Sequence, residues 1–137
     1  MTVSKLMTRP VVTVAPEDSL EDVQDIFRRT RFHHLLVTDG GRLVGIVSDR
    51  DLLKALSPNL DTPAETLRDR QTLEKRVHQV MSSRLYMVTE KHRISDAVQL
   101  IMDHGISCVP VVDDHDHPVG ILTWRDVLRE LLRARKH

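Results

Sequence analysis

The 137-residue sequence predicts an α+β fold made of two β-α-β-β-α repeats. Three observations carry that expectation. The chain contains a visible internal repeat. The apolar spacing alternates between strand and helix periods in the same order in each copy. Turn-forming residues stand at matching places between the strands.

The repeat lays residues 5–56 over residues 79–131, with residues 57–78 as a connector. The offset is 74 through Met7/Met81, Val14/Val88, Asp22/Asp96, Val37/Val111 and Asp39/Asp113. One extra residue then enters the second turn. From there the offset is 75, through Val44/Val119, Gly45/Gly120, Ile46/Ile121, Arg50/Arg125, Asp51/Asp126 and Leu53/Leu128.

Each copy starts with a short β-rich run, Val11, Val12 and Val14 in the first and Leu85, Tyr86 and Val88 in the second. A helix follows, with Leu20, Val23, Ile26 and Phe27 on one face, and Ile94, Ala97, Val98 and Ile101 in the second copy. Ser19 with Asp22 three residues on is a good N-cap. Arg93 is a poor one, and Gly105 is a natural stop for the second helix. Two strands then flank a turn: Leu35, Leu36 and Val37 with residues 43–47 around Asp39-Gly40-Gly41, and residues 109–112 with 119–122 around 113–118. Helices starting near Ser48 and Thr123 close the copies. In the connector, Thr62-Pro63-Ala64-Glu65 reads as a capping box with Pro at the first helical position, so residues 63–80 are expected to be helical, broken near 68–70.

Composition narrows the function. Lys plus Arg and Asp plus Glu are both 20, a neutral balance that argues against a nucleic-acid binder, although residues 125–136 are locally basic. Phe27, Phe32, Tyr86 and Trp124 are too few and scattered for a base-stacking platform. A lone cysteine, Cys108, forms no intrachain disulfide. No apolar run reaches the length of a membrane span, and the N-terminus lacks an apolar signal region, so a cytoplasmic protein is expected, with no membrane partner. The sequence shows no catalytic motif, and an enzyme is not expected. His33-His34 and His115-Asp116-His117 do not make a tetrahedral ligand set, so no metal site is expected. Cys108 reads as a buried small residue.

The phrases LVGIVSDRDLL, GISCVPVVDD and PVGILTWRDVL, in two ordered copies, resemble the CBS domain, named after cystathionine β-synthase. The resemblance covers about residues 5–131. It implies two units packed through their sheets with pseudo-twofold symmetry and two clefts between them. In many members those clefts take AMP, ADP, ATP or S-adenosylmethionine as regulatory ligands, with no cofactor required.

Two elements carry chemistry suited to such ligands. Ser48-Asp49-Arg50-Asp51 and Thr123-Trp124-Arg125-Asp126 each follow a strand and start a helix. A hydroxyl there can meet a phosphate oxygen at the positive helix end. The carboxylate can accept ribose hydroxyls, and Arg offers a planar cationic fork. The same pattern also serves as a plain helix cap. By resemblance the acidic element of one copy faces the strand entrance of the other. The first expected cleft combines Ser48, Arg50 and Asp51 with Tyr86, Ser107, Cys108, Val109 and Pro110. The second combines Thr123, Arg125 and Asp126 with Val12, His33, His34, Leu35 and Leu36, where Leu36 stands in place of the family's usual proline. The first is the better candidate, because His33-His34 are bulkier than Ser107-Cys108. Tyr86 could stack on a base there or obstruct it. The expected role is a ligand-sensing regulatory module, homodimeric, acting on an unidentified partner protein. The alternative is a dimerisation or interaction module with degenerate clefts.

Overall fold

The computed structural model describes residues 1–135; Lys136, the end of the basic stretch, lies outside them. The strands and helices follow the expected order, β-α-β-β-α twice. The first copy contains β1 (Thr13–Val14), α1 (Leu20–Arg29), β2 (His34–Asp39), β3 (Arg42–Ser48) and α2 (Asp49–Ala55). After the connector helix α3 (Leu67–Gln71) come β4 (Val88–Thr89), α4 (Ile94–His104), β5 (Cys108–Val112), β6 (Pro118–Thr123) and α5 (Trp124–Arg135). Each copy forms a three-stranded sheet, in the orders β1-β2-β3 and β4-β5-β6.

The leading strands are shorter than their β-rich runs, and their pairing shares one register but starts at different points for a covalent reason. In the first copy Thr13 pairs with Leu36 and Val14 with Val37, and Leu36 N–H donates to Val12 O at 3.2 Å. The second copy has Pro110 at the place of Leu36, with no N–H to give. Pairing there begins one step later, at Val88 with Val111 and Thr89 with Val112.

Two compact units result, and their membership is not the simple halves of the chain. One unit joins residues 1–11 and 41–43 to residues 86 onward; the other holds residues 12–40 and 44–85. In the first, Val3 and Met7 are buried with Val88, Ala97, Ile101, Val109, Val111 and Leu122. In the second, Val77 is buried with Val14, Leu20, Val23, Leu35, Val37, Val47 and Leu52. Val3 and Val77 are repeat equivalents, so the leading segment of each copy completes the core built by the other copy. The backbone repeats the exchange: Thr8 bridges to Ile121, and Ser82 to Ile46. Glycine is required where these segments land. A Cβ on Gly120 would lie 2.5 Å from Met7 Sδ, and one on Gly45 would lie 2.5 Å from Met81 Sδ and 3.2 Å from Ser82 O.

The helix ends follow local rules. Ser19 and Asp22 form the expected capping box. Arg93 makes no side-chain cap, but Asp96 accepts its N–H at 3.0 Å, which is enough to start α4. Gly105 ends α4 in the left-handed region, φ 62°. The connector departs from expectation. Its helix is capped by Thr66 with Asp69, not by Thr62 with Glu65. Thr62 Oγ1 is engaged in a turn with Asn59 O at 2.6 Å, and Glu65 accepts from Asp61 N–H. Asp69 also accepts from Ser57 Oγ at 2.7 Å, which ties α3 to the chain leaving α2. Short 3-10 turns at Thr72–Glu74 and Val77–Gln79 replace the long helix. No helix among the described residues is long and apolar enough to cross a membrane.

Candidate functional site

The two Ser/Thr-x-x-Asp elements sit at the ends of β3 and β6, where the chain leaves a sheet edge and turns into α2 and α5. In the second unit, Ser48 Oγ accepts from Asp51 N–H at 3.0 Å, and Asp51 Oδ2 accepts from Ser48 N–H at 2.9 Å. Ser48 and Asp51 are half-buried, and Arg50 is exposed. In the first unit Thr123 and Asp126 make the same reciprocal pair, at 3.3 and 2.9 Å. Arg125 is exposed. The helix-cap chemistry is therefore real at both places. It leaves each element with an exposed guanidinium one position before the acid.

Each element lies beside the strand entrance of its own copy. Asp49 N–H donates to His33 O at 3.0 Å, and Trp124 N–H donates to Ser107 O at 3.3 Å. His33 Nδ1 is 2.8 Å from Asp49 Oδ2. Burial holds the His34 imidazolium pKa below its ordinary value, opposed by the nearby Asp49 and Asp51 carboxylates. This grouping of His33, His34, Asp49 and Asp51 was not anticipated. Its signal was available: position 49 holds an acid where the other copy has Trp124, opposite His33 rather than Ser107.

The remaining expected residues divide between the two units. Tyr86, Ser107, Cys108, Val109 and Pro110 belong to the first; Val12, His33, His34, Leu35 and Leu36 belong to the second. Leu35, Leu36 and Val109 are at most 1% exposed, and Pro110 is buried, so their side chains are committed to the interior. Tyr86 stacks on His104, ring centroids 3.7 Å apart, so one face of its ring is already covered. Cys108 is buried, and burial pushes its thiol up to about 12, which makes it a poor nucleophile. The turn at residues 113–118 is organised by Asp113, which accepts from His115 N–H at 2.8 Å and His117 N–H at 3.0 Å. Among the described residues no three His, Cys, Asp or Glu side chains converge as a metal site.

The fold has clear counterparts. The CBS domain pair of protein MJ0100, solved with 5′-methylthioadenosine and S-adenosyl-L-methionine, superposes with a TM-score of 0.82 at 26% identity, covering 98% of both chains. CBSX2, solved with AMP, gives a TM-score of 0.79 at 29% identity, again over 98% of both chains. Among curated proteins, the uncharacterised MJ1225 of Methanocaldococcus jannaschii is 29% identical over 124 residues. That alignment covers 90% of this chain but 44% of MJ1225, so the chain spans under half of that relative's length. The CBS domain family model matches twice, at residues 3–58 and 77–133. With the two β-α-β-β-α repeats and the two hydroxyl-x-x-acid elements, these matches show that the chain belongs to the CBS domain family, as a tandem pair.

Proposed function

We propose that the chain is a regulatory module that senses an adenosine-containing ligand. The observation that carries this is the occurrence of two equivalent Ser/Thr-x-Arg-Asp elements at strand-to-helix junctions, in a tandem pair similar to proteins solved with AMP and with S-adenosylmethionine. In this reading Asp51 and Asp126 accept ribose hydroxyls, Ser48 and Thr123 meet phosphate or its equivalent, and Arg50 and Arg125 supply the fork. The adenine ring is recognised by backbone atoms at the strand entrances, residues 33–36 and 107–110, with Val12 and Tyr86 beside them. A ligand shifts such a module only through unequal affinity for two of its states, and the state it favours is read by a partner protein.

The test is isothermal titration of one preparation with AMP, ATP and S-adenosylmethionine, alongside melting curves. Binding to the folded state raises the melting temperature by an amount set by affinity and concentration. Silence toward all three overturns the reading. Ser48→Ala separates cap from ligand contact. A cap alone predicts the same loss, about 0.5–2 kcal/mol, with or without nucleotide. A phosphate contact predicts a further loss only when nucleotide is present.

A second reading, an interaction module, has its own observation. Leu53 on α2 and Leu128 on α5 are repeat equivalents and are 74% and 55% exposed, and Leu131 and Leu132 extend the apolar stripe of α5. Exposed apolar helix faces of this kind suit the isologous contacts of a symmetric homodimer. Light scattering at tens of micromolar is expected to give twice the chain mass, and a monomeric mass counts against it.

A further inference from the structure

The two acidic elements are repeats of one another, yet their carboxylates have different neighbours. Asp126 is 3% exposed. Its Oδ2 holds the Thr123 N–H and hydroxyl, and its Oδ1 accepts from Thr8 Oγ1 at 2.9 Å and from Arg129 Nη1 at 3.5 Å. Thr8 comes from the opposite end of the sequence. It is held in place by reciprocal backbone bonds, Thr8 N–H to Ile121 O at 2.8 Å and Ile121 N–H to Thr8 O at 3.2 Å.

The second unit reproduces that backbone but not the side-chain contact. Ser82 occupies the place of Thr8 and makes the same reciprocal bonds with Ile46, at 2.8 and 3.0 Å. Its side chain is exposed and does not reach Asp51. Lys54 stands where the other copy has Arg129, and it too is exposed. Asp51 accepts the Ser48 N–H on Oδ2 and no other hydrogen bond among the described residues.

A vicinal diol brings two O–H donors to a carboxylate. At Asp126 one of those positions is filled by a hydroxyl of the chain itself, and the carboxylate is buried. We infer that Thr8 is an internal competitor for the ribose hydroxyls at Asp126, making the two elements unequal: Asp51 takes an external diol directly, and Asp126 takes one only when Thr8 gives way. This rests on the adenosyl-sensing reading and adds a residue that sets the order in which two sites fill. Since Thr8 lies on the segment that pairs with β6, a diol that displaces its hydroxyl also loosens that segment's hold, so filling of this element is coupled to the position of the N-terminal strap.

The test uses the full chain and titration with AMP, with 2′,3′-dideoxyadenosine monophosphate as the probe lacking the diol. Asp51→Ala isolates the Asp126 element. In that background Thr8→Val is expected to tighten AMP binding about tenfold, which corresponds to about 1.4 kcal/mol. Thr8→Ser keeps the hydroxyl and is expected to bind like the Asp51→Ala parent. The gain is expected to vanish with the dideoxy probe. Unchanged or weaker AMP binding by the folded Thr8→Val protein overturns the inference while leaving the sensing reading intact. If Thr8→Val does not fold, Thr8→Ala is read in the same way. If the unmodified chain binds no adenosyl probe, the sensing reading falls. AMP binding that then emerges only in Thr8→Val keeps the role of Thr8, and silence there removes both.

Discussion

Replacing each of the two acids by alanine, with no ligand added, is expected to give unequal losses of stability. Asp126 receives short hydrogen bonds from Thr8 Oγ1 (2.9 Å), Thr123 N–H (2.9 Å) and Thr123 Oγ1 (3.2 Å) and is 3% exposed. Hydrogen bonds to a charged group are each worth about 1.5–3 kcal/mol net. Those contributions are not additive, and truncation also relieves the several kcal/mol it costs to hold a carboxylate away from water, on the order given for buried ions. The net loss for Asp126→Ala is then about 3 kcal/mol, because the Thr8 hydroxyl and the Thr123 amide are left without their acceptor. Asp51 gives up one bond, from Ser48 N–H, at a half-buried site. Its loss is expected at about 1 kcal/mol, the usual scale of a helix cap. For a chain of this size about 1 kcal/mol moves the melting point by roughly 3–4 °C. Asp126→Ala is therefore expected to melt about 10 °C below the parent, and Asp51→Ala about 3–4 °C below it. Differential scanning calorimetry with urea melts measures both. Equal losses for the two variants refute the reasoning, since sequence repeat alone would then describe their environments.

Gly45→Ala is expected to destabilise by about 1–3 kcal/mol, the usual cost of overpacking, because the new methyl meets both Met81 and the Ser82 carbonyl; Gly120→Ala meets only Met7 side-chain atoms and is expected to cost less in the same urea melts. Cys108, pushed up to about 12 by burial, is expected to resist thiol reagents at pH 8 in the native protein and to react on unfolding, as followed by mass spectrometry. The same shift has a pH consequence: the folded thiol stays protonated while the unfolded one ionises, so stability falls as pH rises above the ordinary value of 9.0 toward 12. Cys108→Ala is expected to flatten that part of the stability curve. Hydrogen bonds from Ser57 and from the Thr66 backbone hold the Asp69 carboxyl below its ordinary value, so its contribution is present above that value and is lost as pH falls through the depressed one. Asp69→Asn is expected to weaken the acid dependence of amide exchange in the connector.

Elements whose causes are local were readable one segment at a time. The apolar faces of α1 and α4, the Ser19 cap and the Gly105 stop need only neighbours within a turn of helix. The connector shows where locality fails. Thr62 with Glu65 and Thr66 with Asp69 are consecutive patterns of one kind, and their i, i+3 spacing is the same. The distant Ser57 hydroxyl on Asp69 favours the second. The difference between Leu36 and Pro110 was visible, but its effect on where strand pairing begins required knowing that Val12 is the acceptor. Likewise, Ser48, Asp51, Thr123 and Asp126 were found from spacing, whereas the His33–Asp49 contact depends on two strands lying side by side.

By itself the sequence determined that this protein is a duplicated β-α-β-β-α chain with a hydroxyl, an arginine and an acid at each strand-to-helix junction. Hydrophobic period, caps and turns are written in adjacent residues, and the repeat writes them twice. Only the tertiary structure decided that each copy's leading segment completes the other copy's core, with Val3 and Val77 in equivalent places. It also decided that Asp126 is met by Thr8, 118 positions away, while the Asp51 carboxylate, among the described residues, accepts a hydrogen bond from Ser48 alone. Side-chain chemistry is nearly the same in the two copies. What differs is which distant hydroxyl reaches the carboxylate, and a hydrogen bond requires its partners within about 3 Å, a distance that packing sets and sequence spacing does not.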